Sequence, residues 1–195
     1  MKIHYQRGDI ARFKGDAIVN AANVVMLGGG GVDGVIHHAA GPDLKTYIAA
    51  NFPTGINGVR CPTGEARITD GFNLRAKKII HTVGPIFQDS PTARNVVYPG
   101  EIAERASLKE IEPRDLLAKS IRSCFEIAER EGIKTLAIPA ISCGVFGCRV
   151  STFAKVLHEV VGEKEWPLDL WVVLYQPWEF TEFRHTWDFL TEQPQ

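Results

Sequence analysis

The stretch NAANVVMLGGGGVDGVIHHAAG, residues 20–41, joins a strand-like run to a helix-like run. Residues 16–20 (DAIVN) form a compact apolar segment that ends in a polar residue, as a buried strand does. The apolar residues after the glycines have the i, i+3, i+4, i+7, i+8 spacing of a helix with one buried face: Val32, Val35, Ile36, Ala39 and Ala40. Four consecutive glycines therefore lie between a strand and the first turn of a helix.

Strand-like and helix-like segments alternate along the rest of the chain. Further strands are expected at residues 3–5, 66–69, 78–83, 135–138 and 170–175. Further helices are expected at 47–51, from 113 up to the glycine at 132, from about 151, and at 179–190. Because such alternation favours a parallel sheet covered on both faces, the fold class is α/β. No repeat or linker divides residues 1–195, so we expect a single domain with a long surface loop at 86–112.

The composition excludes several classes of protein. The 195 residues carry a formal net charge of -1, so no overall basic field attracts nucleic acid. The segment MKIHYQRGDI lacks the apolar stretch of a signal peptide, and no run approaches the roughly 18 apolar residues of a membrane helix. The cysteines form no C-x-x-C pair and are expected to be free thiols. We therefore expect a cytoplasmic protein with no membrane partner.

Two glycine-containing loops each follow a strand and precede a helix. They are LGGGGV at residues 27–32 and SCGVFG at residues 142–147. Glycine lets backbone N–H groups converge on a ligand, and a helix N-terminus adds unpaired donors and the positive end of a dipole. At the carboxyl ends of the strands of an α/β sheet, two such loops would suit a diphosphate. The alternative is that the glycines only mark tight turns, and the chain contains no G-x-x-x-x-G-K-[ST] phosphate loop.

Four stretches of the chain resemble the macrodomain family, in its MacroD-type branch. They are GDIARFKGDAIVNAANVVMLGGGGVDGVIHHAAGP, CPTGEARITDGF, KKIIHTVGP and IPAISCGVFG, in that order, and they cover about residues 7–147. The resemblance implies a three-layer α/β/α sandwich with a central mixed, largely parallel sheet. It also implies binding of ADP-ribose and hydrolysis of its esters by water, without a metal or cofactor. The substrates would be proteins mono-ADP-ribosylated on acidic side chains, and O-acetyl-ADP-ribose.

The same resemblance implies which residues hold the ligand. Asp9 would accept a hydrogen bond from the adenine amino group, beside the Ile10 backbone, and a carboxylate suits such a donor. Tyr175 would border the adenine, or would pack as an ordinary core aromatic. Phe146 would pack its ring on the distal ribose. The diphosphate would be held by the backbone amides of Gly30, Gly31, Val32, Ser142, Cys143, Gly144, Val145 and Phe146.

Three residues are implied for turnover: Asn23, Asp33 and His37. The Asn23 amide would bind a distal ribose hydroxyl, although an asparagine there could equally satisfy loop backbone. We interpret Asn20 as structural for that second reason. A helix N-terminus should depress the pKa of Asp33, which predicts a residue that orients water and is a weak base. His37 lies one helical turn later and would support Asp33 or line the pocket.

Cys143 and the histidines suggest two other chemistries, and neither is favoured. A thiol in an anion-binding loop could have a lowered pKa and act as a nucleophile. The family resemblance does not imply a covalent intermediate, so sensitivity to oxidation is the more reasonable expectation. No metal site is expected, because His37 and His38 are adjacent and the cysteines lack zinc spacing.

Three functions remain to be separated. An esterase would need Asn23 and Asp33, whereas a module that only reads ADP-ribose could rely on the two loops and Asp9. The presence of both polar residues favours the enzyme. A nucleic-acid-binding domain is disfavoured by the near-neutral charge and by the lack of an aromatic and basic stripe.

Overall fold

Strands and helices alternate along the residues that the structure, a computed structural model, describes, which are 1–87 and 107–192. The strands are β1 (Lys2–Arg7), β2 (Ala17–Ala21), β3 (Ala66–Asp70), β4 (Lys78–Thr82), β5 (Thr135–Ile138) and β6 (Asp169–Leu174). The α-helices are α1 (Gly31–Ala40), α2 (Pro42–Asn51), α3 (Pro113–Arg130), α4 (Val150–Gly162) and α5 (Pro177–Glu192). Each predicted strand and helix is present. Of the loop predicted at 86–112, residues 88–106 lie outside the described residues.

The helix α2 begins five residues before its predicted start at 47, because Pro42 both ends one helix and begins the next. Gly41 closes α1 with a positive φ of 86°, and its N–H donates to the carbonyl oxygen of His37. Pro42 then occupies the first turn of α2, where its missing N–H costs nothing. The two helices are therefore joined without a loop.

The strands form one sheet in the order β1-β6-β5-β2-β4-β3. All neighbours are parallel except β3 and β4, which are antiparallel. Only the short segment 71–77 connects these two strands, and a parallel pair would need a longer crossover. The expected mixed, largely parallel sheet is confirmed. The carboxyl ends of its five parallel strands lie at one edge.

Two apolar cores lie on opposite faces of this sheet and make the expected three layers. The larger core contains the inner faces of α3, α4 and α5, and the smaller core contains those of α1 and α2. Alternate residues of β2 divide between them, with Val19 in the larger core and Ile18 in the smaller. Residues two apart from Ile18 on this strand therefore face α1. Within the described residues, no helix combines the length and hydropathy that a membrane span requires.

The buried face of α1 differs from the one that the apolar spacing predicts. Val35 is 45% exposed, whereas Asp33, Ile36 and Ala40 are buried. The helix is turned so that a carboxylate occupies a place on its inner face. An apolar stripe cannot reveal such a turn, because it counts the buried carboxylate as a surface residue.

Asp16 joins the amino-terminal ends of β2 and β5. Its Oδ2 accepts hydrogen bonds from Lys134 N at 3.0 Å, Thr135 N at 3.1 Å and Thr135 Oγ1 at 3.2 Å. Its Oδ1 accepts one from Lys77 Nζ at 2.8 Å. The Lys77 hydrogen bond and these backbone donors hold the pKa of Asp16 at about 2.

Asp16→Asn should lower the free energy of unfolding at pH 7 by about 1–2 kcal/mol, as expected for hydrogen bonds to a charged group. Because the folded-state pKa is depressed, the stabilisation is complete above the pKa of an unfolded aspartate, near 4, and is lost as the pH falls towards 2. Denaturant unfolding of the wild type and the variant from pH 7 to pH 2 measures both effects. Asp70→Asn is the matched control, because Asp70 pairs only with Lys78 at an exposed site and should matter little. Equal losses in the two variants would contradict the prediction.

Candidate functional site

A cleft opens at the carboxyl edge of the sheet, between the two glycine-containing loops. One wall consists of the start of α1 with the end of β2, and the other of the loop after β5. The residues that line it are Ala21, Ala22, Asn23, Gly30, Gly31, Val32, Asp33, Gly84, Ala140, Ser142, Gly144, Val145 and Phe146. The prediction that the two loops face one crevice is therefore confirmed as geometry. Four lining residues, Ala21, Ala22, Gly84 and Ala140, were not predicted from the sequence.

Asn23 organises the loop that precedes the glycines. Its Oδ1 accepts hydrogen bonds from Val25 N at 3.0 Å and Met26 N at 3.1 Å, and its Nδ2 donates to the Gly28 carbonyl oxygen at 3.2 Å. The same Nδ2 lies 3.5 Å from Asp33 Oδ2. Asn23 thus satisfies loop backbone, as the alternative interpretation expected, and also lines the cleft. Its contact with a ribose remains a prediction.

The loop after β5 is closed by its own backbone. Cys148 N donates to Ser142 O at 2.9 Å, and Gly147 N donates to Gly144 O at 3.0 Å. Ser142 adopts a positive φ of 65°, which a non-glycine residue rarely does. Its hydroxyl oxygen is buried and has no hydrogen-bond partner within residues 1–87 and 107–192. The backbone of this loop is therefore held in one tight conformation beside the cleft.

Cys143 belongs to this loop but does not line the cleft. Its thiol is buried and donates to the Ile141 carbonyl oxygen at 3.6 Å. The hydrogen bond with Cys148 and burial raise the pKa of Cys143 well above the usual thiol range. A lowered pKa is therefore wrong for this cysteine, and the geometry gives no support to a nucleophile. Its backbone N–H donates to the Ala140 carbonyl oxygen at 3.1 Å and is not free for a ligand in this conformation, and its role as a phosphate donor stays a prediction.

Asp33 is the buried charge of the cleft. Its Oδ1 accepts a hydrogen bond from Asn20 Nδ2 at 2.7 Å and lies 3.4 Å from His37 Nε2. Burial raises the pKa of Asp33, and the Asn20 hydrogen bond and the His37 charge oppose that rise. The expectation of a depressed pKa is therefore wrong. The helix dipole is a weaker influence here than the removal of the carboxylate from water.

His37 contacts Asp33 but lies outside the cleft. Its ring packs under Gly28, where an added Cβ would be 3.4 Å from the ring, and borders a separate surface groove with His38 and Lys45. Burial lowers the pKa of His37, and the nearby Asp33 carboxylate opposes that shift. His37 thus supports Asp33 from behind the loop through the 3.4 Å contact of its Nε2, which makes no hydrogen bond of good geometry in the described part of the chain.

Asn20 and His81 belong to the site, and sequence reasoning missed both. Asn20 lies on β2, at the end of the predicted strand, but it was interpreted only as a structural residue, and its hydrogen bond to Asp33 was not expected. His81 lies on β4 directly opposite Asn20 in the parallel ladder, and their side chains are 3.1 Å apart. The available signal was a polar residue near the end of each of two apolar strands. Their pairing depends on the sheet register, which the sequence does not show.

The three residues predicted at the adenine lie at a neighbouring part of the same edge. Gly8 N donates to Leu174 O at 2.9 Å, so Asp9 and Tyr175 follow adjacent strands. Asp9 Oδ1 accepts from Ala11 N at 2.9 Å, and Ile10 is buried beside it. Tyr175 is 68% exposed, which excludes the interpretation as a core aromatic. None of the three lines the cleft described above, and their contact with adenine remains a prediction.

Gly144→Val should block the cleft without disturbing the fold. Among the described residues, a Cβ on Gly144 meets no atom within 4 Å, and the residue borders the cleft, so the valine would project into the space for a ligand. We expect binding of ADP-ribose to weaken at least about 10-fold, which is about 1.4 kcal/mol. Isothermal titration calorimetry measures it.

Gly162→Val is the control for this prediction, because a Cβ there also meets nothing within 4 Å but lies at the end of α4. It should bind ADP-ribose as the wild type does. Undiminished binding by Gly144→Val would mean that the ligand does not pass this side of the cleft.

In the described part of the chain, no group of three or more His, Cys, Asp or Glu side chains is arranged to hold a metal ion.

Comparisons with known proteins agree with this architecture. The family model described as "Macro domain" matches residues 19–157. A macro domain-containing protein of Xanthomonas campestris is 42% identical over 166 residues, which are 85% of this chain and 80% of the relative. A protein of Escherichia fergusonii named O-acetyl-ADP-ribose deacetylase is 38% identical over 162 residues, which are 83% of this chain and 79% of the relative.

A solved structure of the Oceanobacillus iheyensis macrodomain with ADP has a similar fold. Its TM-score is 0.79 at 34% identity, and the match covers 96% of this chain and 90% of that one. A variant of that macrodomain with valine in place of a glycine has been solved with ADPR. Two further variants carry alanine in place of an aspartate and in place of an asparagine.

Proposed function

The chain belongs to the macro domain family, and on that premise we propose that it binds ADP-ribose and hydrolyses ADP-ribose esters. It removes mono-ADP-ribose from acidic side chains of proteins and deacetylates O-acetyl-ADP-ribose. The observation that carries this proposal is the buried Asp33 carboxylate, which lies on a cleft between two loops of backbone donors. A family member that only binds would not need a carboxylate there, because burying it costs stability.

Binding rests on backbone groups of both loops. Gly30 and Gly31 begin α1, whose N-terminus supplies unpaired N–H groups and the positive end of the helix dipole. An added Cβ on either glycine would meet no atom of the described residues within 4 Å, so a ligand can approach the backbone there. The loop from Ser142 to Phe146 faces it across the cleft. Two such walls suit the two phosphates of ADP-ribose.

Hydrolysis rests on Asp33 and one water molecule. The raised pKa makes the ionised Asp33 a better proton acceptor than an ordinary aspartate. Water adds to the ester carbonyl carbon as Asp33 accepts its proton. The bond from this carbon to the ribose oxygen then breaks, and the ribose oxygen leaves with that proton. The products are ADP-ribose and the free carboxylic acid.

Two comparisons support this assignment. The E. fergusonii relative bears the name of an O-acetyl-ADP-ribose deacetylase. In the O. iheyensis macrodomain, the substituted asparagine lies ten residues before the substituted aspartate. Asn23 and Asp33 have the same spacing in this chain. Asn23 and Asp33 thus match, in residue type and in spacing, the two residues that were substituted in the O. iheyensis macrodomain.

A reader of ADP-ribose without turnover is the second candidate. The observation that favours it is the engagement of both ends of the Asn23 amide within its own loop, which leaves that side chain less free for a ribose. Under this alternative, the cleft would bind ADP-ribose tightly, and Asp33 would serve only to hold the start of α1.

Release of ADP-ribose from a protein mono-ADP-ribosylated on glutamate tests the proposal, with O-acetyl-ADP-ribose as a second substrate. Binding of free ADP-ribose by calorimetry is measured in parallel. Release of ADP-ribose with binding supports the esterase. Tight binding without release from either substrate supports the reader, and the absence of binding contradicts both.

A further inference from the structure

A buried chain of hydrogen bonds runs from β3 across two strands to Asp33. Thr69 Oγ1 lies 3.0 Å from His81 Nε2, and His81 Nδ1 lies 3.1 Å from Asn20 Nδ2. Asn20 Nδ2 in turn lies 2.7 Å from Asp33 Oδ1. Asn20 and His81 are 0% exposed, Thr69 and Asp33 3%. The chain therefore begins in the interior of the protein and ends at the carboxylate that lines the cleft.

The direction of each hydrogen bond follows from the partners. The Thr69 hydroxyl donates to the Asp70 carbonyl oxygen at 3.0 Å, so Oγ1 accepts from the protonated Nε2 of His81. The unprotonated Nδ1 then accepts one N–H of Asn20, and the second N–H goes to Asp33. With the proton on Nδ1, two donors would face each other across 3.1 Å. The tautomer of His81 thus decides which way the Asn20 amide points.

Burial also keeps His81 neutral. It lowers the pKa of His81 to about 3, so the ring does not titrate in the physiological range. His81 therefore keeps one proton in the physiological range, so only its tautomer is in question. A neutral, fixed imidazole suits a structural support and does not suit an acid or base.

The sheet brings these residues together on the face that packs against α1. Asn20 and His81 are directly paired in register, and Thr69 is a diagonal neighbour of His81 on the antiparallel strand β3. Packing alone would be served by apolar side chains, because buried polar groups cost free energy unless each is hydrogen-bonded. Every donor along these hydrogen bonds has an acceptor, whereas the Asn20 Oδ1 oxygen is buried with no partner among the described residues.

We propose that His81 is a positioning residue, which Thr69 holds as the Nε2–H tautomer so that the Asn20 amide keeps the Asp33 carboxylate oriented toward the cleft. The inference rests on the proposed function and adds the residues that prepare Asp33 for it. Neither Thr69 nor His81 lines the cleft, so neither touches the ligand.

The buried chain of hydrogen bonds from Thr69 to Asp33 should affect the proton affinity of Asp33. The Asn20 hydrogen bond lowers the pKa of Asp33 against the effect of burial. Loss of that bond should raise the pKa further. The other groups that face Asp33 are His37 on its own helix and the Asn23 amide, while Lys45 of α2 acts on His37. None of these changes when Thr69 is substituted.

Thr69→Val tests the proposal, with Thr69→Ser as its matched control. Valine has nearly the volume of threonine but cannot accept from His81, whereas serine keeps the hydroxyl. We expect the kcat of Thr69→Val to fall about 10-fold or more with KM and ADP-ribose binding unchanged, as for a misoriented catalytic group. The acid limb of its kcat profile should move to higher pH. Thr69→Ser should match the wild type in all of these.

Nuclear magnetic resonance of the labelled protein supplies readouts that need no turnover. The ¹⁵N shifts should show wild-type His81 protonated on Nε2, and the ¹³C shift of the Asp33 carboxyl should titrate at higher pH in Thr69→Val than in Thr69→Ser. These measurements test the proposal even if the protein hydrolyses no ester. The tautomer of His81 is measured on the wild type alone. A proton on Nδ1 in the wild type, or equal Asp33 titration and equal kcat in the two variants, would overturn the proposal.

Discussion

Asp33→Asn is expected to bind ADP-ribose within about threefold of the wild type and to hydrolyse its esters 10²–10⁴-fold more slowly, which is about the range for loss of a general base. Asparagine keeps the shape of the side chain, and its amide oxygen can still accept the hydrogen bond from Asn20. It lacks the charge and the basicity that Asp33 supplies to the water. Single-turnover release of ADP-ribose, measured beside calorimetric binding, separates the two effects.

Stability distinguishes this loss from unfolding. Burial raises the folded-state pKa of Asp33 above its unfolded value, so ionisation of this carboxyl destabilises the folded protein at high pH, and the cost is lost as the pH falls from the folded-state pKa to the unfolded one. Asp33→Asn should therefore have a Tm equal to or above that of the wild type. A gain in stability that accompanies a loss of activity is typical of substitutions at a functional residue.

Asp43→Asn is the matched control for the Asp33 variant. Asp43 also lies in the first turn of a helix, α2, but its side chain is exposed and outside the cleft. It should be fully active. If Asp33→Asn hydrolyses esters as fast as Asp43→Asn, Asp33 has no part in the chemistry and our mechanism is wrong.

Gly84→Ala adds only one methyl group but should strongly disturb the wall of the cleft that the loop after β5 forms. A Cβ on Gly84 would lie 2.2 Å from Ser142 Oγ and 2.5 Å from Ile141 Cγ2. Ile141 is fully buried, and Ser142 already adopts a positive φ, so neither can yield without moving the loop. We expect the free energy of unfolding to fall by about 1–3 kcal/mol, the usual cost of overpacking. ADP-ribose binding should weaken at least about 10-fold, since the loop donors would be displaced.

A double-mutant cycle with Ser142→Ala locates the cause. The Ser142 hydroxyl is buried without a partner, so its removal alone should be nearly neutral. In the double variant, the closest clash is gone, and part of both losses should be recovered. Denaturant unfolding and calorimetry measure the cycle. If the two substitutions are simply additive, then the clash with Ser142 is not what makes Gly84 necessary.

Much of the fold was predictable because it depends on neighbours along the chain. The alternation of apolar runs gave each strand and helix, and the short connection 71–77 accounts for the antiparallel strand β3. The start of α2 at Pro42, directly after Gly41, was missed, because the sequence analysis placed this helix at 47–51. The position of Asp33 in the first turn after the glycines was also evident from local sequence.

The hydrogen-bond partners of Asp33 could not be predicted from the local sequence. Asn20, Thr69 and His81 lie on three strands, and they meet only because β2, β4 and β3 pair in one register. A shift of the pairing by one residue would turn these side chains to the other face. Each one, seen in the sequence, is a single polar residue in or beside an apolar run.

Sequence alone therefore established the order of strands, loops and helices and the residue types at the cleft, since these follow from local periodicity and from glycine. The burial of Asp33, the direction in which its pKa moves, and the hydrogen bonds behind it came from the folded protein. Their physical reason is that desolvation and hydrogen bonding depend on every group within a few ångströms, and those groups are distant in the chain.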